Sequence, residues 1–359
     1  MPDNVDAIRW KIEEVDNEIL SLIGKRMHLA TQMGRFKLSQ GLPIRAIRVE
    51  EQVLARYLSR SKEAGISEAS AKKIAAILIY ESLDEQLRLP KANEPKRVTV
   101  VGGSGKMGSW FCHFLRENGH KVIVNDIVSS TKFPFENNLN RAVSQAEVVV
   151  IATPISTCRE TLEKVLALKP KGLVFDITSI KAPIIPLLEG AVAQGIKICS
   201  VHPMFGPDTE LLLEKNILIC DCGSQVAVQE AKELLDGRGA TISEVPIHEH
   251  DKLMSFVLGM SHAISIAFSN ALAKSGVSHE ELTRASSTTY NHQECTSRKV
   301  VGENPDLYYE IQHLNPNTKQ VLDLLKRSIE EIEEAAMDEE SAKFVNIMES
   351  GRKYFGGRK

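Results

Sequence analysis

The chain has 359 residues, of which 43% are hydrophobic and 25% are charged, and its formal net charge at pH 7 is −3. This composition is typical of a globular protein with room for two or three domains, and it gives no reason to expect nucleic acid or an anionic membrane as a partner. Because no long apolar run and no signal peptide are evident, we predict a cytoplasmic protein that binds small molecules.

The six cysteines are scattered along the chain and include no C-x-x-C pair. Neither a zinc site nor a disulfide framework is therefore indicated, and no bound metal is predicted. We expect reduced, mostly buried thiols.

The first ninety residues favour three helices. From Val5 to about Leu38 there is no proline and the apolar residues recur at helical spacing, which predicts one helix of about 50 Å. The shorter helices predicted over 47–64 and 68–89 cannot cover a helix of that length. A second chain is therefore expected to pack on it.

Polar side chains interrupt the apolar faces of these helices. Arg26 and Lys37 share a face of the first helix where core residues are expected, and Ser82 and Gln86 continue the apolar stripe of the third. Buried cations need an anion, although a long side chain at a core edge can also extend into solvent. Arg9 lies elsewhere on the helix and could serve a different pocket or another subunit.

This pattern, with R-x-x-I-x-x-V-D at 9–16, resembles the all-helical chorismate mutase family over residues 5–89. The family's pericyclic rearrangement needs a pocket that holds the substrate folded and stabilises developing charge. The resemblance implies that Arg9 of one chain and Arg26 of the other bind the two substrate carboxylates.

The resemblance also implies roles for four further side chains. Lys37 and Gln86 would donate hydrogen bonds to the ether oxygen, and Glu50 would accept one from the ring hydroxyl. Ser82 would support a carboxylate. Family members usually have an acid at the place of Ala46 and an arginine at the place of Val49. The nearest arginines are Arg45 and Arg48, and a shifted register would let Arg48 take that role.

A glycine-rich turn follows a predicted strand at Val98–Val101. Glycines at 103, 105 and 108 have the G-x-G-x-x-G spacing of a dinucleotide site, although such a turn can also merely pack a helix on a sheet. Asp126 ends the second predicted strand, where a carboxylate would bond a ribose hydroxyl and repel a 2′-phosphate, so we predict NAD as cofactor rather than NADP. The predicted cofactor-binding residues are Gly103, Ser104, Gly105, Lys106, Met107, Gly108, Asp126, Thr153 and Pro154.

Strand-like and helix-like segments alternate beyond residue 97. This order predicts an α/β fold with a mostly parallel, doubly wound sheet of Rossmann type. The predicted strands are Val98–Val101, Lys121–Asn125, Glu147–Ala152, Leu173–Ile177 and Ile196–Val201.

Three polar segments follow predicted strand ends: Thr153-Pro154, Thr178-Ser179 and H-P-M-F-G-P-D at 202–208. Because the carboxyl ends of parallel strands share one edge of a sheet, we expect them to meet at one pocket. A lone histidine at a strand end is more often structural. At this pocket, however, the imidazole of His202 is the side chain best suited to take a proton from an alcohol as hydride leaves.

The string S-V-H-P-M-F-G-P-D, following the glycine turn and A-T-P-I, is similar to prephenate dehydrogenase. With the helices in front, the whole chain resembles the bifunctional chorismate mutase–prephenate dehydrogenases of tyrosine biosynthesis. The resemblance implies conversion of chorismate to prephenate, and of prephenate with NAD to 4-hydroxyphenylpyruvate, carbon dioxide and NADH, with His202 bonding the ring hydroxyl. It also implies feedback inhibition by tyrosine. An arogenate dehydrogenase with a weak or inactive mutase, or a non-catalytic nucleotide sensor, are the alternatives.

The C-terminal third returns to helical spacing and is expected to supply the interface of a homodimer and a wall of the substrate site. The resemblance places His250 and His262 near the cofactor, although a packed histidine is equally compatible with the apolar face around His262. An arginine or lysine should face the substrate carboxylate, and of Arg298 and Lys299 we choose Arg298.

These observations predict four segments along the chain. They are a helical mutase domain over 1–90, a linker over 91–97, a Rossmann-like NAD-binding domain over 98–247, and a helical dimerisation and substrate-binding domain over 248–359.

Overall fold

The computed structural model describes residues 5–89, 94–210, 212–236 and 238–356. Its backbone divides into two compact units. The first unit holds the described residues of Met1–Thr153, Lys164–Ile177 and Gln194–Glu244, and the second holds those of Pro154–Glu163, Thr178–Ala193 and Val245–Lys359. The domain boundaries predicted above stay predictions, and residues 91–93 of the predicted linker lie outside the described residues.

Three helices open the first unit, as predicted: α1 (Val5–Ser39), α2 (Ile47–Arg60) and α3 (Glu68–Leu87). The Ser67 side chain accepts a hydrogen bond from the Ser70 amide and caps α3. A Cβ atom on Gly34 of α1 would lie 2.7 Å from Cγ of Gln86 on α3. Glycine at this position therefore lets the two helices come close enough for their polar side chains to meet.

The apolar stripe of α1 is exposed in the single chain. Ile12 is 55% exposed and Leu22 is 62% exposed, and Ile8, Val15 and Ile19 are exposed as well. The expectation that one chain cannot cover this long helix is therefore confirmed.

A seven-stranded sheet lies in the middle of the sequence. Its strands are β1 (Arg97–Val101), β2 (Lys121–Asn125), β3 (Val148–Ile151), β4 (Leu173–Asp176), β5 (Ile198–Pro203), β6 (Asn216–Asp221) and β7 (Thr241–Pro246).

The strand order is β2-β1-β3-β4-β5-β6-β7. The strands from β2 to β5 are parallel to their neighbours, whereas β6 runs antiparallel to β5. The mostly parallel, doubly wound fold is thus confirmed. The chain reverses direction across the sheet between β1 and β3, and ligands of such sheets bind at that switch point.

Helices connect most of the strands: α4 (Lys106–Glu117), α5 (Leu139–Ser144), α6 (Ile155–Ala167), α7 (Ile185–Ala193) and α8 (Gln225–Leu235). Phe111 and Leu115 of α4 are fully buried with β1, whose Val98 and Val100 point into the same core. All six cysteines lie in the described part of the chain as reduced thiols; five are buried and Cys295 is exposed. Burial raises the pKa of the Cys112 thiol to about 12.

The remaining helices lie in the second unit: α9 (Ile247–Met254), α10 (Ser261–Lys274), α11 (His279–Arg284), α12 (Thr288–Val301), α13 (Pro305–His313), α14 (Thr318–Met337) and α15 (Ala342–Tyr354). A π-helical turn, Ser255–Met260, joins α9 to α10. The amide of Gln312 donates to the carbonyl of Gly259 in this turn at 2.8 Å. The stretch Ile247–Lys274 is long and apolar enough to cross a membrane, but apolar helices of soluble proteins have the same length and composition, so it is weak evidence.

Candidate active sites

Four of the side chains predicted for the mutase pocket meet between α1 and α3. Arg26 Nη1 donates to the carbonyl of Leu78 at 2.5 Å and to the hydroxyl of Ser82. Lys37 Nζ donates to Oε1 of Gln86 at 3.1 Å, and Nε2 of Gln86 donates to the carbonyl of Ser82 at 2.9 Å. Two cations are therefore held beside a buried hydroxyl and a buried amide.

Glu50, in the first turn of α2, lies close to two cations. Arg45 donates through Nε and Nη2 to the two carboxylate oxygens of Glu50, at 3.0 and 3.3 Å. Lys37 Nζ bonds the carbonyl of Ile44 at 2.6 Å, one residue before Arg45. Burial lowers the pKa of Lys37 and the Glu50 carboxylate partly opposes this, whereas the hydrogen bond to Glu50 raises the pKa of Arg45.

Arg9 and Arg48 lie apart from this cluster. Arg9 pairs with Asp6 at 3.3 Å with its side chain 74% exposed, and it is about 25 Å along α1 from Arg26. Arg48 is exposed on α2. The arginine that contacts Glu50 is Arg45, the other of the two arginines near Val49, for which the sequence prediction had preferred Arg48.

The glycine-rich turn is shaped by a residue outside the predicted motif. Gly102 has a φ of +84°, and a Cβ atom there would lie 2.7 Å from the carbonyl oxygen of Ala152. A Cβ on Gly108 would lie 2.1 Å from the carbonyl oxygen of Gly102, and one on Gly103 would lie 2.8 Å from Val124. Packing within the protein alone requires glycine at these three positions.

Gly105 is different, because the protein leaves room for a side chain there. Its Cβ would meet only the carbonyl oxygen of Gly102, at an ordinary 3.4 Å. Gly105 is the N-cap of α4 and cannot cap the first helical amides, so Lys106 and Met107 present their N–H groups at the helix start. The backbone amide of Ser104 donates to Asp126 at 2.9 Å, which places this carboxylate beside the turn. These residues fit the pyrophosphate and ribose of a dinucleotide.

His202 lies at the carboxyl end of β5, opposite Leu218 of antiparallel β6, and is 4% exposed. Thr153 follows β3, and its buried Oγ1 has no hydrogen-bond partner in the part of the chain that the structure describes. Because β3, β4 and β5 are parallel neighbours, both residues lie at the same edge of the sheet. This is the predicted edge for the substrate and cofactor.

In the second unit, His250 is fully buried and bonds through Nδ1 to Oδ1 of Asp251 at 2.7 Å. The Asp251 carboxylate also accepts from the backbone amides of Lys181 and Ala182, at 2.9 and 2.7 Å. Burial opposes the ionisation of Asp251, but the bonds from His250 and from these amides hold its pKa below the ordinary value. The sequence resemblance placed the string H-E-H-D at 248–251, which includes Asp251, near the cofactor, but selected only His250 from it as a site residue.

His262 lies just after the π-helical turn, with its ring centroid 4.5 Å from that of Tyr308. Burial lowers the pKa of His262 to about 4, so the imidazole is neutral at neutral pH. Its buried Nδ1 has no hydrogen-bond partner among the residues with described structure. His262 therefore has a nitrogen available to a ligand, and it cannot act as a cation there.

The two basic candidates on α12 are both exposed. Arg298 Nε donates to Oε1 of Glu294, one turn earlier, at 2.9 Å, and its Nη2 lies 3.0 Å from His279. Lys299 is exposed beside it. The choice between Arg298 and Lys299 stays a prediction.

Three family models match the chain in series. Residues 8–87 match "Chorismate mutase type II", residues 111–244 match the prephenate dehydrogenase nucleotide-binding domain, and residues 246–350 match the prephenate dehydrogenase dimerization domain. Both predicted family resemblances are thus confirmed.

Relatives cover the same segments. The T-protein of Haemophilus influenzae is 27% identical over 97% of this chain and 92% of its own length. A chorismate mutase of Methanocaldococcus jannaschii is 37% identical over 27% of this chain and all of its own length. A probable arogenate/prephenate dehydrogenase of the same organism is 28% identical over 72% of this chain, which spans only 61% of that protein.

Among solved structures, the prephenate dehydrogenase of Aquifex aeolicus in complex with hydroxyphenyl propionate and NAD+ has a TM-score of 0.60 at 18% identity. The match covers 74% of this chain and 100% of that one, and at this identity it supports the fold alone. The chain belongs to the family of bifunctional chorismate mutase–prephenate dehydrogenases of tyrosine biosynthesis, in which an isomerase and an NAD-dependent oxidoreductase share one polypeptide.

Proposed function

We propose that this chain converts chorismate to prephenate at the helical site, and then oxidises and decarboxylates prephenate with NAD at the carboxyl edge of the sheet. The observation that carries the mutase activity is the donor cluster of Arg26, Lys37, Ser82 and Gln86. A pericyclic reaction needs no acid, base or nucleophile, so fixed donors around a folded dianion suffice to lower its barrier.

Within the mutase site, Arg26 binds one carboxylate with support from Ser82. Lys37 and Gln86 donate to the ether oxygen, where negative charge develops as its bond to the ring breaks. Glu50 accepts a hydrogen bond from the ring hydroxyl. This assignment is supported by the Lys37–Gln86 bond and by the closeness of Glu50 to Lys37.

For the dehydrogenase, bound NAD supplies the hydride acceptor. The start of α4 binds the pyrophosphate, and Asp126 binds the ribose hydroxyls and disfavours NADP. His202 takes the proton of the prephenate 4-hydroxyl as hydride leaves the same carbon. Loss of carbon dioxide then makes the ring aromatic, so the step is effectively irreversible.

A single assay tests both activities. NADH should form when prephenate and NAD are added, and also when chorismate replaces prephenate, because the mutase then supplies the substrate. NADP should be the poorer cofactor. Absence of NADH with prephenate would contradict the dehydrogenase, whereas NADH from prephenate but not from chorismate would contradict only the mutase.

Arogenate is the second candidate substrate, because one M. jannaschii relative is named as a probable arogenate/prephenate dehydrogenase. Arogenate carries an amino group in place of the side-chain oxo group of prephenate. Comparing kcat/KM for the two substrates decides between them. A higher value with arogenate would reassign the dehydrogenase and leave the mutase proposal unchanged.

We further propose a cytoplasmic homodimer in which each mutase site takes Arg9 from one chain and Arg26 and Lys37 from the other. The exposed apolar stripe of α1 and the distance of Arg9 from the Arg26 cluster support this arrangement. Burial of that stripe against a second copy would remove the exposed side chains of Ile12 and Leu22 from water.

Subunit exchange tests the shared site. Arg9→Ala and Lys37→Ala should each abolish mutase activity, and mixing the two should restore part of it. In a mixed dimer one pocket carries both substitutions and the other carries neither. No recovery after exchange would contradict the shared site, and a monomer by sedimentation would contradict the dimer itself.

Tyrosine is proposed as a feedback inhibitor, since it shares the 4-hydroxyphenyl group of the product. Its addition should slow NADH formation from prephenate. The same concentration of phenylalanine, which lacks the hydroxyl, is the control, and equal effects of the two would contradict recognition of the hydroxyl.

A further inference from the structure

A buried polar network ties the segment 178–182 to α9 within the second unit. Asp251 is 4% exposed, and its carboxylate accepts from the Lys181 amide at 2.9 and 3.1 Å and from the Ala182 amide at 2.7 Å. The ionised carboxylate accepts the fourth bond from Nδ1–H of His250 at 2.7 Å. The carboxylate is thus hydrogen-bonded on both oxygens, to a buried imidazole and to two backbone amides.

Further hydrogen bonds of this network hold α9 and the segment 178–182 in place. Asn315 donates through Nδ2 to the backbone carbonyl of Asp251 at 2.7 Å, which fixes α9. In the segment itself, Nζ of fully buried Lys181 donates to the carbonyl of Thr178 at 2.7 Å, and the Thr178 hydroxyl bonds the carbonyl of Ile180 at 3.1 Å. The backbone from Thr178 to Lys181 is therefore closed on itself and anchored at its end by Asp251.

The position of this segment connects it to the dehydrogenase. It follows β4 directly, and the carboxyl ends of parallel strands are where ligands of doubly wound sheets bind. Ser179 is only half-buried, between the buried Thr178 and Ile180. The network thus fixes the backbone on both sides of the partly exposed Ser179.

We propose that Asp251 is a positioning residue of the dehydrogenase: its carboxylate holds the backbone of 178–182 in the geometry that the reaction needs, without touching the substrate itself. This inference rests on the proposed prephenate oxidation. Small displacements at a reacting centre are costly, since a shift of about 1 Å caused by a distant residue can lower the rate by about a hundredfold. His250 serves the same purpose by donating to the carboxylate and keeping it oriented.

The test is Asp251→Asn, which keeps the shape of the side chain but removes the charge and one acceptor oxygen. We expect kcat for prephenate oxidation to fall by about tenfold to a hundredfold. KM for NAD should change by less than about threefold, because the glycine turn is in the other unit. Amide exchange of a peptide spanning 178–184 should become faster, whereas the mutase rate should be unchanged.

Ser255→Ala is the matched control, because Ser255 is also buried but its hydroxyl donates to the carbonyl of Lys252, three residues earlier, at 2.6 Å. Equal kcat and equal exchange in the two variants would overturn the positioning role. Should Asp251→Asn fail to fold, Asn315→Ala replaces it, since it loosens the backbone of Asp251 and leaves the carboxylate in place. It should lower kcat several-fold with KM for NAD unchanged, and an unchanged kcat would overturn the inference. A wild-type enzyme that does not oxidise prephenate would instead contradict the proposed function.

Discussion

Alanine substitutions at Gly105 and Gly108 should distinguish two reasons for glycine in this turn, namely room for the cofactor and close packing within the protein. A Cβ on Gly108 would lie 2.1 Å from the carbonyl oxygen of Gly102, so helix and strand must move apart by more than an ångström. Overpacking of this severity costs about 3 kcal/mol. For a domain of this size we expect Gly108→Ala to lower Tm by about 6 to 12 °C.

Gly105→Ala should have the opposite profile. Its Cβ meets only an ordinary contact at 3.4 Å, and alanine is a poorer N-cap than glycine by less than about 1 kcal/mol, so Tm should fall by no more than about 4 °C. The added methyl group, however, occupies the space through which the backbone must approach the pyrophosphate. NAD affinity should therefore weaken by about tenfold or more, which corresponds to about 1.4 kcal/mol.

Thermal unfolding by circular dichroism and titration with NAD measure the two effects separately. Gly190→Ala is the control, because Gly190 lies in α7 with open space around its Cβ position. This variant should be slightly more stable than the wild type, since alanine favours a helix more than glycine does. If Gly105→Ala binds NAD as tightly as the wild type does, Gly105 is not needed to make room for the pyrophosphate. If Gly108→Ala is as stable as the wild type, close packing against Gly102 is not the reason for glycine at position 108.

Three further outcomes concern the two active sites. Arg45→Ala should lower mutase kcat/KM by about tenfold, because Glu50 loses its bidentate partner, whereas Arg48→Ala should have little effect; equal effects would contradict this assignment. Because burial lowers the pKa of Lys37, mutase activity should fall with rising pH at a lower pH than the ordinary lysine value of 10.5, and a flat profile up to that pH would contradict it. His202→Asn should lower kcat of prephenate oxidation by about 10²–10⁴ and leave the mutase rate unchanged; a fully active variant would move the proton acceptor to another residue.

The sequence alone predicted the three N-terminal helices and the strands β1 to β5, but not β6 and β7, and it indicated candidate residues for each site. Apolar periodicity predicted α1 as one long helix, and the strand pattern predicted β2 over Lys121–Asn125 with both ends correct. Such patterns are local, because each side chain's direction follows from its position along a helix or strand. The glycine turn and the strand near His202 were found for the same reason, although β5 runs to Pro203 instead of ending at Val201.

The tertiary structure decided which residues from separate segments meet. Gly102 must be glycine because its φ is +84° and because the carbonyl oxygen of Ala152, fifty residues later, lies 2.7 Å from its Cβ position. Arg45 reaches Glu50 from an irregular turn, where no repeating pattern fixes side-chain direction. Asp251 and the amides of 181–182 are seventy residues apart, and only folding brings these groups together out of water, where they have to bond one another.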